Sequence, residues 1–342
     1  MKRNGFLYEN IYLYSNVCEA FYKAAKGRRS KPDIIEFKKD FHINIHKIQQ
    51  SLINQQVELG NYSYFTIHDP KQRVICAAAF EERVLHHAIM NICEPILESC
   101  AIYDSYACRM NKGSHAAIQR AQKFSNTYEW FLKLDIRKYF DSIDHKILLK
   151  LLARKFKDDK LIDLFHVLIN SYHVQPGKGI PIGNLTSQHF ANYYLCHFDH
   201  WIKEHCKVKA YVRYMDDFLI FKESPLALKQ DLLNIKKYLA DELTLEIKPA
   251  IQLNRSRKGI PFLGYRIFPQ KVLLQPQAKK RFIKKWRRYE SEYLLGYLIL
   301  NRQRTCNTGN STHRISKTCR FQKLSKACDQ TIWVFILRAR TA

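Results

Sequence analysis

The chain is predicted to adopt an α+β fold in which helices cover one face of an antiparallel sheet, a split βαβ arrangement of ferredoxin-like type. Three observations point there. In Val208–Tyr214 the residues Val208, Ala210, Val212 and Tyr214 are apolar or aromatic, while Lys207, Lys209 and Arg213 are basic, the pattern of a half-buried strand. A second apolar run, Phe218–Phe221, follows Met215-Asp216-Asp217 and reads as the returning strand, with the two acids at a hairpin tip. An earlier strand at Trp130–Ile136 completes the central order of strand, helices, hairpin, helix, strand.

Residues 1–60 read as mostly helical, with a basic segment at Lys23–Lys31. β-Favouring residues run from Tyr62 to Ala79 around a turn at Asp69-Pro70, and helical periodicity resumes over Glu81–Glu98. In Trp130–Ile136, alternation puts Trp130, Leu132, Leu134 and Ile136 on one face and Asp135 on the other. A helix is predicted from about Asp144 to Phe156, N-capped by Ser142 or Asp144, and another from Asp158 to about Tyr172. A loop holding Pro176, Gly177, Gly179, Pro181 and Gly183 leads to a helix from Phe190 to about Cys206. Ser224-Pro225 opens a further helix through an N-cap serine and an N1 proline. Short strands are predicted at Thr244–Lys248, Ala250–Leu253, Phe262–Phe268 and Lys271–Leu274. No repeat or clear linker divides these elements, which read as subdomains of one body.

Charge narrows the function. Lys+Arg of 57 against Asp+Glu of 31 gives a net charge of +26, a field that attracts polyanions, and 13% aromatic residues supply stacking surfaces. No stretch is long and apolar enough to span a bilayer, and no basic amphipathic anchor stands out, so nucleic acid is favoured over a membrane surface. Met1-Lys2-Arg3-Asn4-Gly5 is basic without the apolar core of a signal peptide. Ten cysteines without a CxxC pair suit reduced thiols in a cytosol. Cys196, His197, His200, His205 and Cys206 resemble a metal cluster, but helical spacing scatters them around the circumference.

The acids carry the chemistry. Adjacent carboxylates raise the pKa of at least one unless something positive neutralises them. Asp135, at the end of a strand from another part of the chain, can converge with Asp216 and Asp217 on hard divalent cations.

With these residues in view, the chain resembles a reverse transcriptase from about residue 62 to 275. Lys71-Gln72-Arg73-Val74-Ile75 is similar to the fingers segment that holds the incoming triphosphate, and Ser105-Tyr106-Ala107-Cys108-Arg109 to the following template-side motif. Asp135–Asp141 and Tyr214–Asp217 match the two catalytic motifs, and Phe262-Leu263-Gly264-Tyr265 looks like the primer grip. In Ile180–Gln188, Ile182-Gly183 and Ser187-Gln188 stand where group II intron enzymes carry Gln-Gly and Ser-Pro. That variant resembles the reverse transcriptases of diversity-generating retroelements, which copy a template RNA with frequent errors at adenines.

The resemblance implies a right-hand polymerase fold with fingers, a ferredoxin-like palm and a helical thumb. It places a helical extension at 1–61, fingers at 62–125 and 142–180, palm at 126–270, and a thumb with an atypical tail at 271–342. Two Mg2+ ions are expected on Asp135, Asp216 and Asp217 with the Ile136 carbonyl, Asp216 being the firmer of the paired acids. Lys71 and Arg73 would hold the β- and γ-phosphates of a dNTP, and Lys248 would protonate the leaving pyrophosphate. Phe140 stands at the gate that collides with a ribose 2′-hydroxyl. Ile182, Gly183 and Gln188 would line the templating base and nucleotide, where an Ile182 side chain lacks the hydrogen-bonding capacity that could police pairing. Arg109, Tyr214, Gly264, Tyr265, Lys280, Lys284 and Arg287 would contact template RNA, primer or cDNA. A small basic accessory protein and a bacterial or phage-encoded, cytoplasmic setting complete what the resemblance implies.

Overall fold

The computed structural model describes residues 3–68 and 72–306, with side chains as far as residue 295. The Asp69-Pro70 turn, Lys71 and the tail from residue 307 lie outside that range. The chain divides into two compact units, residues 1–275 and 276–342.

The first unit opens with α1 (Tyr8–Ile11), α2 (Tyr14–Ala24), α3 (Pro32–Lys39) and α4 (Phe41–Ile53). The hairpin β1 (Tyr62–Ile67) and β2 (Arg73–Ala78) precedes α5 (Phe80–Glu98) and α6 (Ser114–Thr127). After β3 (Trp130–Asp135) come α7 (Tyr139–Ser142), α8 (His145–Lys155), α9 (Asp159–Asn170), α10 (Leu185–Tyr194) and α11 (Cys196–Glu204). The hairpin β4 (Ala210–Tyr214) and β5 (Asp217–Lys222) leads through α12 (Pro225–Leu243) to β6 (Gln252–Arg255). A three-stranded sheet of β7 (Ile260–Phe262), β8 (Tyr265–Ile267) and β9 (Val272–Leu274) closes the unit. The described part of the second unit is one helix, α13 (Pro276–Cys306).

The central sheet is antiparallel in the order β4-β5-β3-β6, so strands distant in sequence meet in the middle. It is covered on both faces, not the expected one. Leu132, Leu134, Tyr211, Phe218 and Ile220 pack with Phe198 and Ile202 of α11 and with Leu228, Ile235 and Leu239 of α12. On the opposite face Phe131, Ala210, Val212, Leu219 and Phe221 meet Ala117, Ile118 and Ala121 of α6 and Ile260, Phe262 and Ile267 of the smaller sheet. Small residues on α6 let that helix lie close to the sheet. The strand at 210–214 is therefore buried from Ala210 to Arg213, and the one basic residue within it, Arg213, is only 1% exposed. Its alternation misleads because Arg213 faces an acid, Asp199 of α11, instead of water.

Caps set several element ends. Asp144, not Ser142, caps α8 by accepting from the Ile147 N–H at 3.1 Å. Asp158 caps α9 through one carboxylate oxygen, and its other oxygen accepts the N–H groups of Leu7 and Tyr8 at 2.7 and 2.8 Å, which ties the N-terminal segment to α9. Three expected boundaries change. The helix predicted over 190–206 starts at Leu185 and breaks at Leu195, whose backbone sits at φ −90°, ψ 0°. Thr244 caps α12 in the left-handed region (φ 52°), and Thr244–Lys248 is not a strand, its backbone meeting the end of the sheet at the Ile247–Ile136 bridge. The strand predicted over 262–268 is split by a turn at Leu263-Gly264, both at positive φ, into the end of β7 and β8.

Candidate active site

The candidate site lies at the end of the central sheet where β3, β4 and β5 stop. Tyr214 pairs with Asp217, leaving Met215 and Asp216 as a two-residue loop. Asp135 sits directly opposite Asp217 in the β3–β5 register, and the Ile136 N–H donates to the Asp216 carbonyl at 3.2 Å. Two strands from separate parts of the chain thus bring Asp135, Asp216 and Asp217 to one place.

The electrostatics of this end are strained. Burial first, and then the Asp135 charge, push Asp216 up to about 6. Burial pushes Asp217 up to about 7 against the opposing pull of Lys133, whose Nζ lies 3.1 Å from its Oδ2. The other oxygen of Asp217 is buried without a hydrogen-bond partner. Lys248 Nζ lies 2.5 Å from Asp135 Oδ1, and the Lys248 N–H donates to the Asp135 carbonyl. Two ammonium groups therefore hold the outer carboxylates.

Three acids with an orphaned oxygen form a donor set suited to hard divalent cations. Among the described residues, no group of three His, Cys, Asp or Glu side chains is already arranged to hold a metal ion. Asp135 is engaged by Lys248 and Asp217 by Lys133, so a cation held by these carboxylates would displace an ammonium group. The Lys248 ammonium expected at pyrophosphate is thus placed on Asp135.

The remaining candidates are distributed as follows. Lys71 lies outside the described residues, and Arg73 is exposed at the start of β2. Phe140 is half-buried, packs against the main core, and meets Tyr139 edge-to-face at 5.8 Å. The Ile182 carbonyl accepts from the Cys76 N–H of β2 at 2.8 Å, and Gly183 follows at φ +127°. A Cβ at Gly183 would come within 2.7 Å of the Cys76 carbonyl oxygen, so this loop can dock on β2 only with glycine there. Gln188 Oε1 accepts from Cys108 Sγ at 3.4 Å.

Arg109 departs from its expected role as a template contact. Its guanidinium is bonded to Glu98 Oε1 at 2.8 Å and to the carbonyls of Ile102 and Ser105 at 2.5 and 2.7 Å. It braces the segment that extends the sheet beside β4, where the Arg213 N–H donates to the Asp104 carbonyl and the Tyr106 N–H to the Arg213 carbonyl. Tyr214 and Tyr265 are half-buried against the α6-side core, and Gly264 (φ +83°) turns β7 into β8. On α13, Lys280, Lys284 and Arg287 are exposed, and their i, i+4, i+7 spacing puts them on one face.

Two features were missed in the sequence. Lys133 stands two residues before Asp135 on the same strand face, a position the alternation itself supplies. The Arg213–Asp199 pair had only a weak signal, a lone cation between the aromatic residues Tyr211 and Tyr214.

Sheet order, helix placement and the acid-bearing hairpin define a right-hand polymerase fold. The chain belongs to the reverse transcriptase (RNA-dependent DNA polymerase) family, whose model matches residues 67–267. It is similar to Protein YkfC of Escherichia coli (strain K12), with 22% identity over 296 residues covering 68% of this chain and 77% of that protein. It is also similar to the group II intron-encoded protein LtrA of Lactococcus lactis subsp. cremoris, with 25% identity over 62% of this chain and 36% of LtrA. The putative COX1/OXI3 intron 2 protein of Saccharomyces cerevisiae is 24% identical over 60% of this chain, which spans 31% of that relative. Apo telomerase from Candida Tropicalis shares the fold at a TM-score of 0.50 and 12% identity, over 64% of this chain and 49% of that one. No helix among the described residues is long and apolar enough to cross a membrane.

Proposed function

We propose that this chain copies an RNA template into cDNA by two-metal nucleotidyl transfer at Asp135, Asp216 and Asp217. The observation that carries this reading is the convergence of three carboxylates, two of them pushed well above their ordinary range, at one sheet end. Two divalent cations, bound by these acids, would supply neutralising charge at the attacking oxygen and along the triphosphate. Asp216 interacts with the Asp135 carboxylate, and Asp217 lies opposite Asp135 on the paired strand. Lys133 and Lys248 hold Asp217 and Asp135, and with a cation on these acids Lys248 would be free to meet negative charge on the substrate. Arg73 on β2 would hold the phosphates, and Phe140 would exclude a 2′-hydroxyl. The units read as fingers around β1 and β2, a palm around the central sheet and a thumb beginning with α13.

At finer resolution we assign the chain to the error-prone enzymes of diversity-generating retroelements, working with a structured template RNA and a basic accessory protein. Support comes from Ile182, whose main chain is fixed on Cys76 while its side chain offers no hydrogen bond to a base pair. The similarity to LtrA favours a second reading, an intron-type enzyme of ordinary fidelity. Primer extension on a defined RNA, followed by cDNA sequencing, separates the two. Magnesium-dependent extension that disappears in Asp216→Asn is expected, with substitutions concentrated opposite template adenines and reduced in Ile182→Gln. Equal fidelity at all four template bases selects the second reading, and no incorporation with any divalent metal rejects both.

A further inference from the structure

We infer that Arg213 is a positioning residue for polymerisation: its buried guanidinium holds the Met215 carbonyl and thereby sets the turn that carries Asp216 and Asp217. This rests on the proposed role of those acids. Arg213 is 1% exposed and faces Asp199, which is 0% exposed. Its Nε donates to Asp199 Oδ1 at 2.7 Å, and Nη2 donates to Asp199 Oδ2 at 2.5 Å and to the Asn192 carbonyl at 3.3 Å. Nη1 donates to Asn192 Oδ1 at 2.9 Å and to the Met215 carbonyl at 3.0 Å. These bonds use every N–H of the planar fork. Tyr211 completes the network by donating to Asp199 Oδ1 at 2.8 Å.

The bond to Met215 is what gives this network a consequence for chemistry. Met215 lies at φ 57°, a left-handed conformation that residues with a Cβ disfavour and that persists only where surroundings enforce it. Arg213 ties that carbonyl to α10 through Asn192 and to α11 through Asp199, so the turn is fixed to two helices. A buried ion pair is weak evidence for stability, because well-packed apolar side chains of similar volume often serve the fold equally well. Stability alone therefore gives no reason for a guanidinium here. A bond to the catalytic turn does, and neither lysine's point charge nor an apolar side chain reproduces it.

Arg213→Met combined with Asp199→Leu and Tyr211→Phe removes the charges and the orphaned hydroxyl together while keeping the core apolar. Arg213→Lys keeps the charge but loses the fork. Each is compared with wild type for thermal melting, affinity for an RNA–DNA primer–template, kcat and KM for dNTP, and Mn2+ binding by electron paramagnetic resonance. The triple variant is expected to melt cooperatively at or above the wild-type temperature and to bind primer–template normally. Its kcat should fall about tenfold or more, the size of one lost hydrogen bond, with KM unchanged and Mn2+ binding weakened. Arg213→Lys should give the same split. A stable triple variant with wild-type kcat and Mn2+ binding overturns the inference. If wild type extends no primer, yet Mn2+ binding still weakens in the variants, the polymerase reading falls and the positioning role stands.

Discussion

Asp216 and Asp217 sit in surroundings that favour the protonated form until a cation arrives. Their ordinary range is near 4, and the fold pushes them up to about 6 and about 7. Between about pH 4 and pH 7 the folded protein therefore binds protons that the unfolded chain has released, so stability falls as pH rises through that window. This is the reverse of a salt-bridged carboxylate, whose stabilising effect is lost on acidification. Metal-free protein is expected to melt at a lower temperature at pH 8 than at pH 5, and Asp217→Asn should flatten that slope. Added Mg2+ should raise the melting temperature more at pH 8 than at pH 5, because only the ionised acids bind it. Melting curves with chelator and with Mg2+ at both pH values check this, and a pH-independent response to metal would contradict it.

Among the elements, the loop before α10 has the most exacting fit. Gly183 at φ +127° rests on β2, and the Ile182 carbonyl is bonded to the Cys76 N–H, so this loop and the β1–β2 hairpin form one piece. Gly183→Ala would force a Cβ to within 2.7 Å of the Cys76 oxygen and 2.9 Å of Ile75 Cγ2 in a conformation alanine rarely adopts. A stability loss of about 1–3 kcal/mol is expected, with extension activity falling further than primer–template affinity. Unchanged activity would show that the docking of the loop on β2 is dispensable. Most helices were legible in the sequence because periodicity reports which face is buried, as in α5, α8, α9 and α12, while the central strands were legible as short apolar runs. The sequence failed where tertiary partners overrule periodicity. Arg213 looked solvent-facing because nothing local announces Asp199 on α11, and Arg109 looked available because Glu98 and two carbonyls bind it only in the fold. The acids and Lys248 were legible, whereas Lys133 and the pairing of Lys248 with Asp135 were not, since an ammonium's partner is set by the fold.

Across the whole molecule, a net charge of +26 makes long-range attraction to a polyanion part of binding. Such attraction is sequence-independent and releases counterions, so affinity for RNA should fall steeply with salt. The contribution of α13 can be separated from this background. Lys280, Lys284 and Arg287 are exposed on one helix face, and the neighbouring exposed Phe282 and Trp286 stack with centroids 6.3 Å apart. If that face tracks a phosphate backbone, each cation adds a roughly fixed increment to the salt slope and none to sequence preference. Replacing all three by alanine is expected to reduce the slope of log affinity against log salt by about one for each cation that contacts phosphate. Weakening should be uniform across template sequences, and the melting temperature should hold because the side chains are exposed. Fluorescence anisotropy on an RNA–DNA duplex over a range of KCl concentrations measures this. An unchanged slope in the triple variant would remove α13 from the nucleic-acid surface and assign the salt dependence to the first unit.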